Sequence, residues 1–144
     1  MTTGIVYDEK MCLHEKIGHP EQPDRIRHIF YAIQKENLLN KCQLLKSRKA
    51  TSEEILSVHS DNHLSIMETI PDLNNIFLKK LQKRYNSIYL NKYSYTCALL
   101  SAGSVVELCE EVVNRKLLNG IAIVRPPGHP LNQMKRWVFV CLIM

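Results

Sequence analysis

The sequence predicts an α/β domain with a parallel sheet flanked by helices, and three observations carry that reading. Short apolar runs alternate with longer segments whose apolar residues recur every three or four positions, the pattern of buried strands separated by packed helices. A late apolar run, 121–124, leads straight into Arg125-Pro-Pro-Gly-His129, a stiff turn that presents an imidazole beyond a strand end, where open α/β sheets bind their ligands. The chain of 144 residues, 45% hydrophobic and 23% charged, suffices for one core.

In order, Gly4-Ile-Val-Tyr7 predicts an opening strand followed by a long polar loop through His14 and His19-Pro-Glu-Gln-Pro-Asp-Arg25. Pro23 suits a first helical turn, and Ile26, Ile29, Phe30 and Ile33 keep helical spacing to about residue 38. Cys42-Gln-Leu-Leu45 is a weaker second strand. Thr51-Ser-Glu-Glu54 matches a capping box, and Ser60 caps a helix that buries Leu64, Met67 and Ile70 before Pro71 ends it. Residues 71–84 read as an irregular connection, and 85–90 as a loop.

The strongest helix runs from Tyr95 to Val113, with Ala98, Leu99, Ala102, Val105, Val106, Cys109 and Val112 as its apolar stripe, a core face and not a cofactor box. Asn119-Gly120 is expected to turn the chain into the strand 121–124.

A formal net charge of +5 argues little about nucleic acid, and with bases scattered rather than striped no direct nucleic-acid binding is expected. The run Lys79-Lys80-Leu-Gln-Lys83-Arg84 reads as a solvated loop or helix end. Five cysteines without a C-x-x-C pair fit reduced thiols in a cytoplasmic or nuclear compartment. No signal peptide is expected, and the apolar run 137–144 falls far short of the ~20 residues of a membrane helix. His59 and His63 are four apart, but a helix cap at Ser60 lies between them and argues against a metal pair.

Thr3-Gly-Ile-Val-Tyr-Asp-Glu9, His19-Pro-Glu-Gln-Pro-Asp-Arg25, Val58-His-Ser60, Asn86-Ser-Ile-Tyr89 and Asn119-Gly-Ile-Ala-Ile-Val-Arg-Pro-Pro-Gly-His129, in that order, resemble the zinc-dependent histone deacetylases of class II. They are most similar to the first catalytic domain of the tandem-domain cytoplasmic enzyme that acts on tubulin. The resemblance implies the N-terminal part of the arginase/deacetylase-type fold, truncated, and hydrolysis of N-acetyl-lysine amides with zinc polarising the acetyl carbonyl. It implies acetylated histone or tubulin as partner and a cytoplasmic or nuclear location; a polyamine substrate stays open.

By the same resemblance His129 matches the first histidine of a catalytic pair, while Pro130 stands in place of the second and can neither take nor give a proton. Ser87 matches a serine that hydrogen-bonds the substrate backbone, or is a plain loop hydroxyl. Arg25 matches a buried arginine near the inner end of the active-site channel, with a structural ion pair as the other reading. Pro126, Pro127 and Gly128 shape the turn. The family's metal ligands, two aspartates and a histidine, lie beyond that turn and have no counterpart here, so no zinc is expected to bind this chain and it is expected to be inactive. The alternative is a non-catalytic module, or a dominant-negative fragment, that binds a deacetylase partner or substrate.

Residues 1–129 therefore read as the N-terminal portion of a deacetylase domain, and 130–144 as an out-of-frame tail. Synonymous codons for 130–144, read two nucleotides further on, spell Ala-Glu-Pro-Asn-Glu-Thr-Met-Gly-Phe-Cys, which resembles the family's continuation. One adenine deleted from a second histidine codon converts one reading into the other.

Overall fold

The computed structural model describes residues 2–84, 88–127 and 142–143. Its elements are β1 (Thr3–Tyr7), α1 (Asp24–Lys35), β2 (Cys42–Leu45), α2 (Ser52–Leu56), α3 (Asp61–Glu68), α4 (Asn75–Gln82), α5 (Ser94–Val113), β3 (Asn119–Ile123) and β4 (Leu142–Ile143), with short 3₁₀ turns between some of them. The sheet order is β2-β1-β3-β4; β2, β1 and β3 are parallel, and β4 pairs antiparallel with β3 at Gly120 and Ile121. The α/β class predicted from the alternation of patterns is the one observed.

β1 is buried on both faces, as parallel strands between layers must be. Ile5 packs in a cluster with Met11, Cys12, Ile26, Leu100, Val105, Ile123 and Val124, whereas its neighbour Val6 joins Leu108 and Leu117. The two clusters share the sheet and α5, so the long helix and the paired strands β1 and β3 form the centre of the molecule.

Two glycines make that centre close. Gly4 and Gly120 are register partners, and a Cβ on either would come within 2.8 Å or less of Leu108 Cδ1. Their bare backbones let Leu108 press on the sheet. On α5 itself, a Cβ at Gly103 would sit 2.4 Å from Ala50 N and Lys49 C. The helix thus meets the 48–50 backbone directly, and Ala50 N–H donates to Leu99 O at 2.8 Å.

Several elements differ from the sequence reading. α5 buries Cys97, Leu100, Ser101, Ala102, Gly103, Ser104, Val105 and Leu108, while Val113 is 78% exposed. The buried face is rotated from the apolar stripe because small residues, polar ones included, admit backbone contact that larger apolar side chains would prevent. Residues 71–84 are not an irregular connection. Asn74 accepts from Ile76 N and Phe77 N at 3.0 and 3.1 Å and starts α4, which buries Leu78 and Leu81 against Met67 and Ile70. The basic run at 79–84 accordingly begins inside a helix and ends just past it.

α3 stops at Glu68, before Pro71, and Ile70 is buried in a 3₁₀ turn. α1 ends at Lys35 as Asn37 adopts φ +55°, and Ile29 is exposed rather than packed. Asn119-Gly120 lies inside β3, and the turn before it occupies 114–118 with Arg115 at φ +57°. The capping box is present: Thr51 Oγ1 accepts from Glu54 N, and Glu54 accepts from Thr51 N at 2.7 Å.

Candidate functional site

Two residues past β3, directly before the prolines, stands Arg125, and its side chain is wholly buried. An isolated buried guanidinium would be costly, so its donors need partners. Nε donates to Glu21 Oε1 at 3.0 Å and Nη2 to Glu21 Oε2 at 2.5 Å, a bidentate pair. Nη2 also donates to the Tyr89 hydroxyl at 2.6 Å, and Nη1 donates to the His14 carbonyl. One side chain therefore ties together two points of the loop between β1 and α1, the segment before α5 and the chain just past β3.

The surroundings complete this polar knot. His14 stacks on Tyr89 with ring centroids 4.3 Å apart, and its Nδ1 lies 2.8 Å from Ser94 Oγ. His19 meets Tyr89 edge-on at 4.8 Å. Tyr89 also donates to Glu21 O at 3.2 Å. Asn91 Nδ2 donates to the carbonyls of Leu13 and Glu15 at 2.8 and 3.2 Å, a second tie between the same two segments. Ser101 Oγ on α5 donates to Pro126 O at 3.3 Å and holds the turn, in which the Arg125–Pro126 peptide is cis.

Burial and charge set the protonation states. Burial, helped by the neighbouring Arg125, pushes the His14 imidazole down to about 4, so it is neutral at pH 7. Burial raises the Glu21 carboxyl, but hydrogen bonding and attraction from Arg125 outweigh it and hold the group below the usual carboxylate range. Burial pushes Tyr89 up to about 12, so its hydroxyl keeps its proton. At neutral pH the Glu21 carboxylate thus faces the Arg125 cation, with His14 and Tyr89 neutral beside them.

Of the residues singled out in the sequence, Pro126 lies in a bend that begins at Arg125, and Pro127 follows it. Ser87, Gly128, His129 and Pro130 lie outside the described residues. Arg25, matched either to a buried arginine or to a structural ion pair, stands on the first turn of α1 with its side chain 41% exposed. Its Nη2 donates to Val124 O at 2.7 Å and its Nε approaches Glu21 Oε1 at 3.4 Å, so it braces the knot from outside. The buried arginine is Arg125, whose role sequence reasoning did not assign. Its place directly after four apolar residues, facing two prolines, was the available signal.

Histone deacetylase domain is the family that matches, over residues 19–134. The chain belongs to that family. It is 41% identical over 130 residues to histone deacetylase 5 of Arabidopsis thaliana, covering 88% of this chain and 20% of that protein. It is 33% identical over 132 residues to the polyamine deacetylase HDAC10 of Danio rerio, again covering 88% of this chain and 20% of the relative. The chain thus spans about a fifth of the length of these curated relatives. The crystal structure of the HDA15 HD domain superposes with a TM-score of 0.81 at 28% identity, over 99% of this chain and 40% of that one. The described portion is therefore part of a deacetylase-type α/β domain.

The family is zinc-dependent. Among the described residues no three His, Cys, Asp or Glu side chains come together in a group that could hold a metal ion. Among the described residues Cys12, Cys42 and Cys97 take part in no disulfide. His59 and His63 have ring centroids 5.0 Å apart, with Ser60 Oγ accepting from His63 N as the predicted cap. No helix among the described residues is long and apolar enough to cross a membrane.

Proposed function

We propose that residues 1–129 are the N-terminal portion of a class II-type protein lysine deacetylase domain, closest in kind to the first domain of the tandem-domain tubulin deacetylases. The family's chemistry is amide hydrolysis of acetyl-lysine in histones or tubulin, in the cytoplasm or nucleus. His129 takes the place of the first histidine of the catalytic pair, Ser87 that of the serine that binds the substrate backbone, and Gly128 shapes the turn. With Pro130 in place of the second histidine, where no proton can be taken or given, the chain as written does not catalyse.

The observation that carries the reading is the knot at the end of β3. It joins three of the resemblance motifs through Glu21, Tyr89 and Arg125, residues about 36 to 104 positions apart in sequence, and motifs that were only ordered along the chain meet in space. The tail 130–144 is out of frame. The transcript sequence across codons 128–132 tests this: a deacetylase-like continuation in the shifted frame is expected, and its absence would contradict the proposal.

A further inference from the structure

Arg125 reaches further than a structural ion pair needs to. Glu21 alone would satisfy its charge, yet the guanidinium also engages the Tyr89 hydroxyl and the His14 carbonyl. Tyr89 stands two residues after Ser87, and Arg125 four residues before His129. We propose that Arg125 is a positioning residue, whose planar fork couples the segment leading out of Ser87 and the loop 14–25 to the strand end that leads into His129.

The geometry requires the fork and not merely a positive charge. Nε and Nη2 take the two oxygens of Glu21, Nη2 is shared with Tyr89, and Nη1 turns to His14 O. A lysine ammonium is a compact charge on a flexible stem and cannot reproduce three diverging directions from one rigid plane. The neighbouring carriers of charge are Glu21, which pairs with it, and Arg25, which stays on the outer side of the same carboxylate. Asn91 ties the far end of the 88–91 segment independently, so Arg125 governs the end nearer Ser87.

The consequence for substrate placement rests on the deacetylase reading, but the coupling itself does not. Amide hydrogen exchange of the full chain read by mass spectrometry tests it, comparing peptides over 14–22 and 88–92 with the α5 interior at 97–108. Arg125→Lys is expected to speed exchange about tenfold at 88–92 while leaving α5 within about twofold, the scale of one lost charge-assisted hydrogen bond in a locally opening segment. Exchange at 88–92 matching the parent would overturn the proposal, since a charge-only role is rescued by lysine.

Should α5 also exchange faster, Glu21→Gln decides, because glutamine can still accept from Tyr89 but weakens the pair with Arg125. Faster exchange at both 14–22 and 88–92 supports the coupling, and an effect confined to 14–22 overturns it. A negative result here leaves the deacetylase reading intact, whereas an unshifted coding frame removes only the out-of-frame reading of 130–144 and leaves the coupling untouched.

Discussion

The two ends of β3 are held by opposite means. At its start, Gly120 and its register partner Gly4 present bare backbone to Leu108, and the contact is apolar and close. Just past its end, Arg125 is held by a carboxylate, a phenol and a carbonyl in a buried polar knot. Apolar packing is undirected and can adjust by small shifts. A buried charge network has directions to satisfy, and losing one partner leaves the others exposed to the full cost of desolvation. The first kind of contact builds the fold, and the second fixes where three loops meet.

Removing the cation should show the contrast most strongly. Arg125→Met leaves the Glu21 carboxylate partly buried beside apolar surface, and a loss of about 3–5 kcal/mol in urea-unfolding stability is expected. A loss below ~1 kcal/mol would place the knot with ordinary surface ion pairs.

Acid should attack the same end. His14 is held neutral, with its folded value at about 4 against an ordinary 6.5, so the unfolded chain binds the proton first. Stability is therefore full above about pH 6.5 and falls as pH drops towards 4, by about 3 kcal/mol in all if the shift is fully expressed. Glu21, whose folded value is depressed, adds a loss in the same direction at the acidic end of the range. Unfolding midpoints between pH 7.5 and 4 measure this, and His14→Gln should flatten the upper part of the curve.

On the apolar side, glycine substitutions grade the packing. Gly103→Ala gains about 1 kcal/mol of helix propensity but drives a methyl into the 48–50 backbone, so a net loss of about 1–3 kcal/mol is expected. Gly120→Ala meets Cγ and both Cδ atoms of the buried Leu108, a side chain rather than backbone, and should cost less than Gly103→Ala. The reverse order would mean that Leu108 is more rigidly held than the loop. The smallest effect is expected from Thr51→Ala, which removes a capping box remote from both ends of β3 and should lower stability by about 1 kcal/mol.

This contrast also explains what could be read from the sequence. β1, β2, the Thr51 and Ser60 caps and the existence of α5 follow from local patterns, and all are present. α4 was missed because Pro71 and a polar run obscured Asn74 as its cap and the three-residue spacing of Leu78 and Leu81. The buried face of α5 was misplaced because Ser101, Gly103 and Ser104 are not apolar, although close helix contact selects such small residues. Arg125 was legible as part of a motif but not as the centre of a knot. Its partners lie at sequence separations of 36 to 111, and no local pattern announces a contact of that range.

The most direct test of the central claim is an acetyl-lysine hydrolysis assay on two products: the 144-residue chain, and the protein encoded when one adenine is restored within codon 130 so that it reads histidine. The account predicts no turnover above the blank for the first and zinc-dependent deacetylation by the second. Turnover by the chain as written, or an inactive folded product from the restored frame, would contradict it.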